Sequence, residues 1–198
     1  FEDVVYYIQN GDLFRDGYLA HLDYHTVSGF DATQLEKNST GADYTDESVR
    51  RHLNAIGFKD KVAKATVRLL ERGRRNVLLF TRFVAEAEQI QEQVPDSMLV
   101  TADTPKGMRE AVLSDFKAGR LRAVVNVGVL VHGFDFPELE TVVLAAPTMS
   151  LARYYQMCGR GLRRHSNKES CWIVDMVGLV AQFGRIEDLT LHCEGREQ

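Results

Sequence analysis

The sequence predicts an α/β fold in which a parallel sheet is covered by helices on both faces, with a peripheral segment at the N-terminal side. Three observations carry this expectation. From residue 76 onward, short β-rich apolar runs alternate with stretches of helical periodicity, an order that requires crossover connections. The apolar runs read as buried strands rather than as surface strands. The length, 198 residues, suits one α/β domain with a proper core and a small appendage.

Each element follows from local pattern. Val4 to Ile8 and Tyr18 to Tyr24 are candidate strands, Phe30 to Asp43 is polar and turn-rich, and Thr45 to Ile56 is helical in pattern. Residues 1–57 therefore read as a linker and peripheral layer, and 58–198 as the domain proper. Residues 60–73 form a first helix with Val62, Ala65, Thr66, Leu69 and Leu70 on one side. Asn76 to Phe80 is a buried strand. The helix after it places Phe83, Ala87, Ile90 and Val94 on one face, and Pro95-Asp96 closes it. Met98 to Val100 is a short strand, and Thr104-Pro105 starts a helix that turns Met108, Ala111, Val112 and Phe116 inward and stops at Gly119. Leu121 to Val127, Thr141 to Ala145 and Cys171 to Asp175 are the remaining strands.

Composition narrows the function classes. Hydrophobic residues make up 44% and charged residues 26%, as in ordinary globular proteins. No stretch approaches the roughly 20 apolar residues that span a bilayer, and the first residues lack a basic region followed by an apolar one. No membrane partner and a cytoplasmic location are the expectations. Cys158, Cys171 and Cys193 form no C-x-x-C pair, so neither a disulfide framework nor a zinc site is indicated, and no metal ligand set is expected. The net charge of −4 argues against coating nucleic acid by bulk charge but leaves room for a localised basic site.

That localised charge lies in Arg153-Tyr-Tyr-Gln-Met-Cys-Gly-Arg-Gly-Leu-Arg-Arg164. At about 100° per residue, Arg153, Gln156, Arg160, Arg163 and Arg164 share one side, and Leu151, Tyr154, Tyr155, Cys158 and Leu162 the other. Residues 150–168 hold five Lys or Arg and no acid, whereas solvated helix faces usually mix signs. Guanidinium groups keep their charge in a dry cleft and grip phosphate through paired donors.

Ligands of open parallel sheets bind beyond the carboxyl ends of the strands. Thr81-Arg82, Thr101-Ala-Asp103 and Asn126-Val-Gly128 stand at three such ends. Their side chains either cap the following helices or hold a sugar-phosphate backbone while leaving bases unread. In Gly128-Val-Leu-Val-His-Gly133-Phe-Asp135-Phe-Pro137 the glycines allow close backbone approach to a ligand, and Asp135 can accept from a ribose hydroxyl.

Together these segments resemble the second RecA-like domain of superfamily 2 helicases and translocases. Asn76 to Arg82 is similar to motif IV, Asn126 to Pro137 to motif V, and Gln156-x-x-Gly159-Arg160-x-x-Arg163 to motif VI. The wording of residues 125–137, Ala146-Pro-Thr-Met-Ser150 and residues 156–163 is most similar to the RadD-like branch and its phage relatives. Gly29-Phe-Asp31, Tyr44-Thr45 and Trp172 to Gly178 extend the likeness. Where many relatives carry Thr or Ser in motif V, Asn126 and Gly128 stand here.

The resemblance implies a RecA-like fold and an ATP-dependent motor. Arg160 and Arg163 would be arginine fingers, Gln156, Gly133 and Asp135 nucleotide contacts, and Thr81, Arg82, Thr101, Asn126 and Gly128 the nucleic-acid track, with DNA favoured over RNA. The chain contains no Gly-x-x-x-x-Gly-Lys-[Ser/Thr] loop and no Asp-Glu-x-[His/Asp] box. An N-terminal RecA-like domain, in the same protein or in a partner, would supply both and hold most of the ATP and Mg2+. By itself the chain is expected to be inactive. A nucleic-acid-binding module without catalysis, or a separate subunit of a restriction or repair complex, is the alternative.

Overall fold

The computed structural model describes residues 8–129 and 135–190. The elements are α1 (Asn10–Arg15), β1 (His21–Thr26), α2 (Asp46–Ala55), α3 (Phe58–Glu71), β2 (Val77–Thr81), α4 (Val84–Gln93), β3 (Ser97–Val100), α5 (Lys106–Lys117), β4 (Ala123–Val127), β5 (Thr141–Ala145), α6 (Leu151–Gly159), β6 (Ser170–Asp175) and α7 (Leu179–Phe183). The strands form one parallel sheet in the order β1-β6-β5-β2-β4-β3. Right-handed crossovers send connections that run towards β3 over one face and those that run towards β1 over the other. So α2, α3 and α4 cover one face, where α3 packs on both α2 and α4, and α5 and α6 cover the opposite one. This is the RecA-like α/β arrangement. Val77–Thr81 and Thr141–Ala145 are buried throughout, because the central strands are covered from both sides.

Three expectations need correction. The strand placed at residues 18–24 lies at His21–Thr26 and joins the sheet edge through β6, so the segment before residue 57 contributes to the sheet and is more than a linker. Gly17, at φ 72°, turns the chain just before it. Ile8 alone of the strand expected at residues 4–8 is described, and it belongs to no strand. In α5 the buried row is Val112 and Phe116 only; Met108 is 56% exposed and Ala111 is exposed as well. In α6 the buried side holds Tyr154, Met157 and Cys158, while Leu151 and Tyr155 face outward.

Two local devices set the course of α6. The first is Arg82, just beyond β2, whose side chain is 11% exposed. Its Nε reaches Asp46 Oδ1 at 3.0 Å, one terminal nitrogen reaches Pro147 O at 2.7 Å and Asp43 Oδ2 at 3.4 Å, and the other reaches Tyr44 O and Asp46 Oδ1, each at 2.9 Å. All three guanidinium nitrogens are engaged. Asp43 in turn accepts from Met149 N at 2.9 Å and Thr148 Oγ1 at 3.3 Å, immediately before α6. Ser150 then caps the helix by accepting from Arg153 N at 3.2 Å. The second device is Gly161, just past the helix. A Cβ there would meet Cys171 Sγ of β6 at 2.5 Å, so only glycine lets the chain turn that close to the sheet.

Arg82→Ala leaves Asp43 and two carbonyls without their charged donor. Urea unfolding is expected to show a loss of about 2 kcal/mol, against less than about 0.5 kcal/mol for Arg163→Ala, an exposed side chain. Gly161→Ala overpacks the contact with Cys171 and is expected to cost about 1–3 kcal/mol in the same measurement.

Candidate functional site

α6 ends at Gly159, with Arg160 as its C-cap still in right-handed helical geometry. Arg163 and Arg164 therefore lie beyond the helix, not on it as the periodicity suggested. The turn over Gly161 nonetheless returns them to the same side. Gln156, Arg160, Arg163 and Arg164 line one groove of about 620 Å³. Lys168, itself buried, holds this turn by donating to Gly161 O at 3.0 Å. Arg153 separates from the group; it stands at the start of α6, 4.0 Å from Asp43.

The groove is electrostatically unbalanced. Burial pushes the Arg160 guanidinium below its ordinary pKa, the neighbouring Arg163 charge pushes the same way, and Asp135 opposes both. Arg160 Nε donates to Gln156 O at 3.3 Å, which fixes its stem across the last helical turn. Arg163 Nε pairs with Asp135 Oδ1 at 3.0 Å, and both side chains are more than half exposed. Arg164 donates to Gly17 O, bringing the turn before β1 against the arginines. A bound anion would relieve the repulsion between the two guanidinium groups and compensate their partial desolvation.

The strand-end residues behave differently from the basic groove. Thr81, Thr101 and Asn126 are buried at 5%, 8% and 0% exposure. Thr81 Oγ1 donates to Asn126 O at 3.2 Å, Thr101 Oγ1 accepts from Asp103 N at 3.2 Å, and Asn126 Oδ1 accepts from Val129 N at 3.2 Å. Thr81 thus ties β2 to β4, while Thr101 and Asn126 order the turns that follow their own strands; the N-caps of α4 and α5, Phe83 and Pro105, make no side-chain capping bond. Arg82 directs its donors to the Asp43–Asp46 segment and to Pro147 O. Gly128 is exposed at φ 70°, with open space where a side chain would be. Gly133 lies outside the described residues.

Sequence reasoning missed Asp43, Asp46, Tyr18 and the outward face of Tyr155. Tyr18 and Tyr155 line the same groove as the arginines. The only available signal for the aspartates was the polar run before α2. Among the described residues no group of three or more His, Cys, Asp or Glu is placed to hold a metal ion. Cys158 and Cys171 are free and buried, and burial pushes the Cys171 thiol up to about 12. No helix among the described residues is long and apolar enough to cross a membrane.

Comparison with known proteins agrees with the fold. IRC3 of Saccharomyces cerevisiae, named as a candidate ATP-dependent helicase, is 26% identical over 182 residues, covering 89% of this chain and 26% of that protein. A fragment of a candidate HsdR subunit of a type I restriction enzyme from Vibrio vulnificus superposes with a TM-score of 0.73 at 22% identity, over 95% of this chain and 38% of that one. The ATP-dependent type ISP restriction-modification enzyme LlaBIII, bound to DNA, superposes with a TM-score of 0.59 at 16% identity, over 88% of this chain and 13% of that one. The chain thus spans well under half the length of each. The model of the helicase conserved C-terminal domain matches residues 60–165, more than half of the chain and the stretch that runs from α3 through the arginine groove. By that match, the chain belongs to the helicase C-terminal domain family.

Proposed function

We propose that the chain is the second motor domain of an ATP-dependent superfamily 2 DNA helicase or translocase. The observation that carries this reading is the groove that brings Gln156, Arg160 and Arg163 together, with the partly buried Arg160 guanidinium beside the Arg163 charge. Its donors fit a polyphosphate: two guanidinium groups able to bind oxygen pairs and the Gln156 amide beside them. ATP supplies the transferable phosphoryl group, and an N-terminal RecA-like domain supplies the phosphate loop and the magnesium carboxylate that this sequence lacks.

Within that assembly Arg160 and Arg163 offset the charge that develops on phosphoryl oxygens in the transition state. Gln156 reports whether the phosphate is present. Asp135 holds Arg163 in the open state through an exposed pair worth at most about 1 kcal/mol, weak enough for a phosphate to displace. Asp135 is then free to meet the ribose. Nucleic acid runs past the carboxyl edge of the sheet, where Gly128 lets its backbone come close, while Thr81, Thr101 and Asn126 shape that edge from within. The DNA-bound state of LlaBIII supports DNA as the track.

In the complete protein, Arg160→Ala and Arg163→Ala are each expected to lower ATP turnover by about 10³-fold or more, with equilibrium ATP binding within a few-fold of wild type. A variant that loses ATP affinity but keeps its turnover number contradicts the assignment. DNA binding should fall steeply with salt and vary little with sequence, measured by titrating labelled strands at two ionic strengths.

A further inference from the structure

The groove beside the arginines has a second, aromatic half that the phosphate reading does not use. Tyr18 is 69% exposed and Tyr155 is 37% exposed, and both line the groove with Gln156, Arg160 and Arg163. Exposed aromatic rings on a mobile loop would mean little, but the backbone that carries Tyr18 and the hydroxyl of Tyr155 are both held. Gly17 O accepts from Arg164, Ala20 N donates to Leu162 O at 2.7 Å, and Tyr18 N donates to Leu13 O at 2.9 Å. The turn carrying Tyr18 is therefore bonded on both sides to the arginine segment. Tyr155 is held through its hydroxyl, which donates to Asn10 Oδ1 at 2.9 Å, while Asn10 Nδ2 donates to Ile186 O at 3.2 Å.

An aromatic surface on an anchored turn next to guanidinium groups has the composition of a nucleotide site, in which a planar base meets π faces and phosphates meet paired donors. We propose that Tyr18, together with Tyr155, forms the base-stacking wall for the purine of the nucleotide whose phosphates meet Arg160 and Arg163. The proposal deepens the phosphate reading and rests on it. Tyr18 is a positioning and specificity residue: it touches the base and no reacting atom. The wall also gives the segment before β1 a role at the site, since that segment is tied to the groove by its bonds to Tyr155, Leu162 and Arg164.

The test uses the complete protein with Tyr18→Ala and Tyr18→Phe. Tyr18 is largely exposed, so both variants should keep the wild-type thermal midpoint. Tyr18→Ala is expected to raise KM for ATP about tenfold, in line with base–aromatic stacking, with kcat within about twofold. Tyr18→Phe, which keeps the ring, should restore the wild-type KM. Binding of 2-aminopurine riboside triphosphate should quench its fluorescence in wild type and Tyr18→Phe but much less in Tyr18→Ala. Tripolyphosphate, which has no base, should inhibit all three equally. An unchanged KM in Tyr18→Ala, or a fall in kcat with unchanged quenching, overturns the proposal and marks Tyr18 as part of a domain interface. If Arg160→Ala keeps full turnover while Tyr18→Ala loses base quenching, the finger reading fails and the stacking wall stands.

Discussion

One buried guanidinium governs the geometry of the site. Arg82 leaves the end of a central strand and has each guanidinium nitrogen engaged, by Asp43, Asp46, Tyr44 O and Pro147 O. A charge so placed tolerates little displacement, because any lost partner leaves a desolvated donor or acceptor. Asp43 passes that constraint to Met149 N and Thr148, and hence to the first turn of α6. At the far end Gly161 presses against Cys171, and Lys168 clasps its carbonyl. The helix bearing Gln156 and Arg160 is thus pinned at both ends to the rigid sheet.

Pinning has a chemical consequence. Donors that need no reorganisation when charge develops stabilise it more than donors that must first be gathered. Arg160 is held partly desolvated and close to the like charge of Arg163, with Asp135 opposing both effects. The pair Arg163–Asp135, exposed and weakly held, is the part able to rearrange. A rigid helix with one adjustable guanidinium suits a domain that must distinguish the presence of a phosphate from its absence.

How much of this was legible in the sequence depended on burial. Strands β2 to β6 were placed within about two residues, since strands covered on both faces read as continuous apolar runs. β1 was displaced because an edge strand such as His21–Thr26 is largely polar, while the apolar residues Tyr18 to Ala20 before it lie in a turn. Gln156, Arg160, Arg163 and Asp135 do meet in space, as their motif spacing suggested, although the helix ends before Arg163. The partners of Arg82 were not legible, because a cation after a strand does not reveal which carboxylates fold back onto it; Asp43 and Asp46 arrive from some 40 residues earlier. Tyr18 had no local signal, for its place in the groove is set by tertiary bonds to residues 162 and 164.

The central claim is that this pinned groove delivers Arg160 and Arg163 to a phosphoryl group in transit. The most direct measurement is a structure of the complete protein with DNA and ADP–aluminium fluoride. The expected result is guanidinium nitrogens of both arginines within about 3 Å of the fluorides that stand in for the phosphoryl oxygens, with Arg163 released from Asp135 and α6 unmoved relative to the sheet. The analogue bound while Arg160 points elsewhere and Arg163 remains on Asp135 would contradict it.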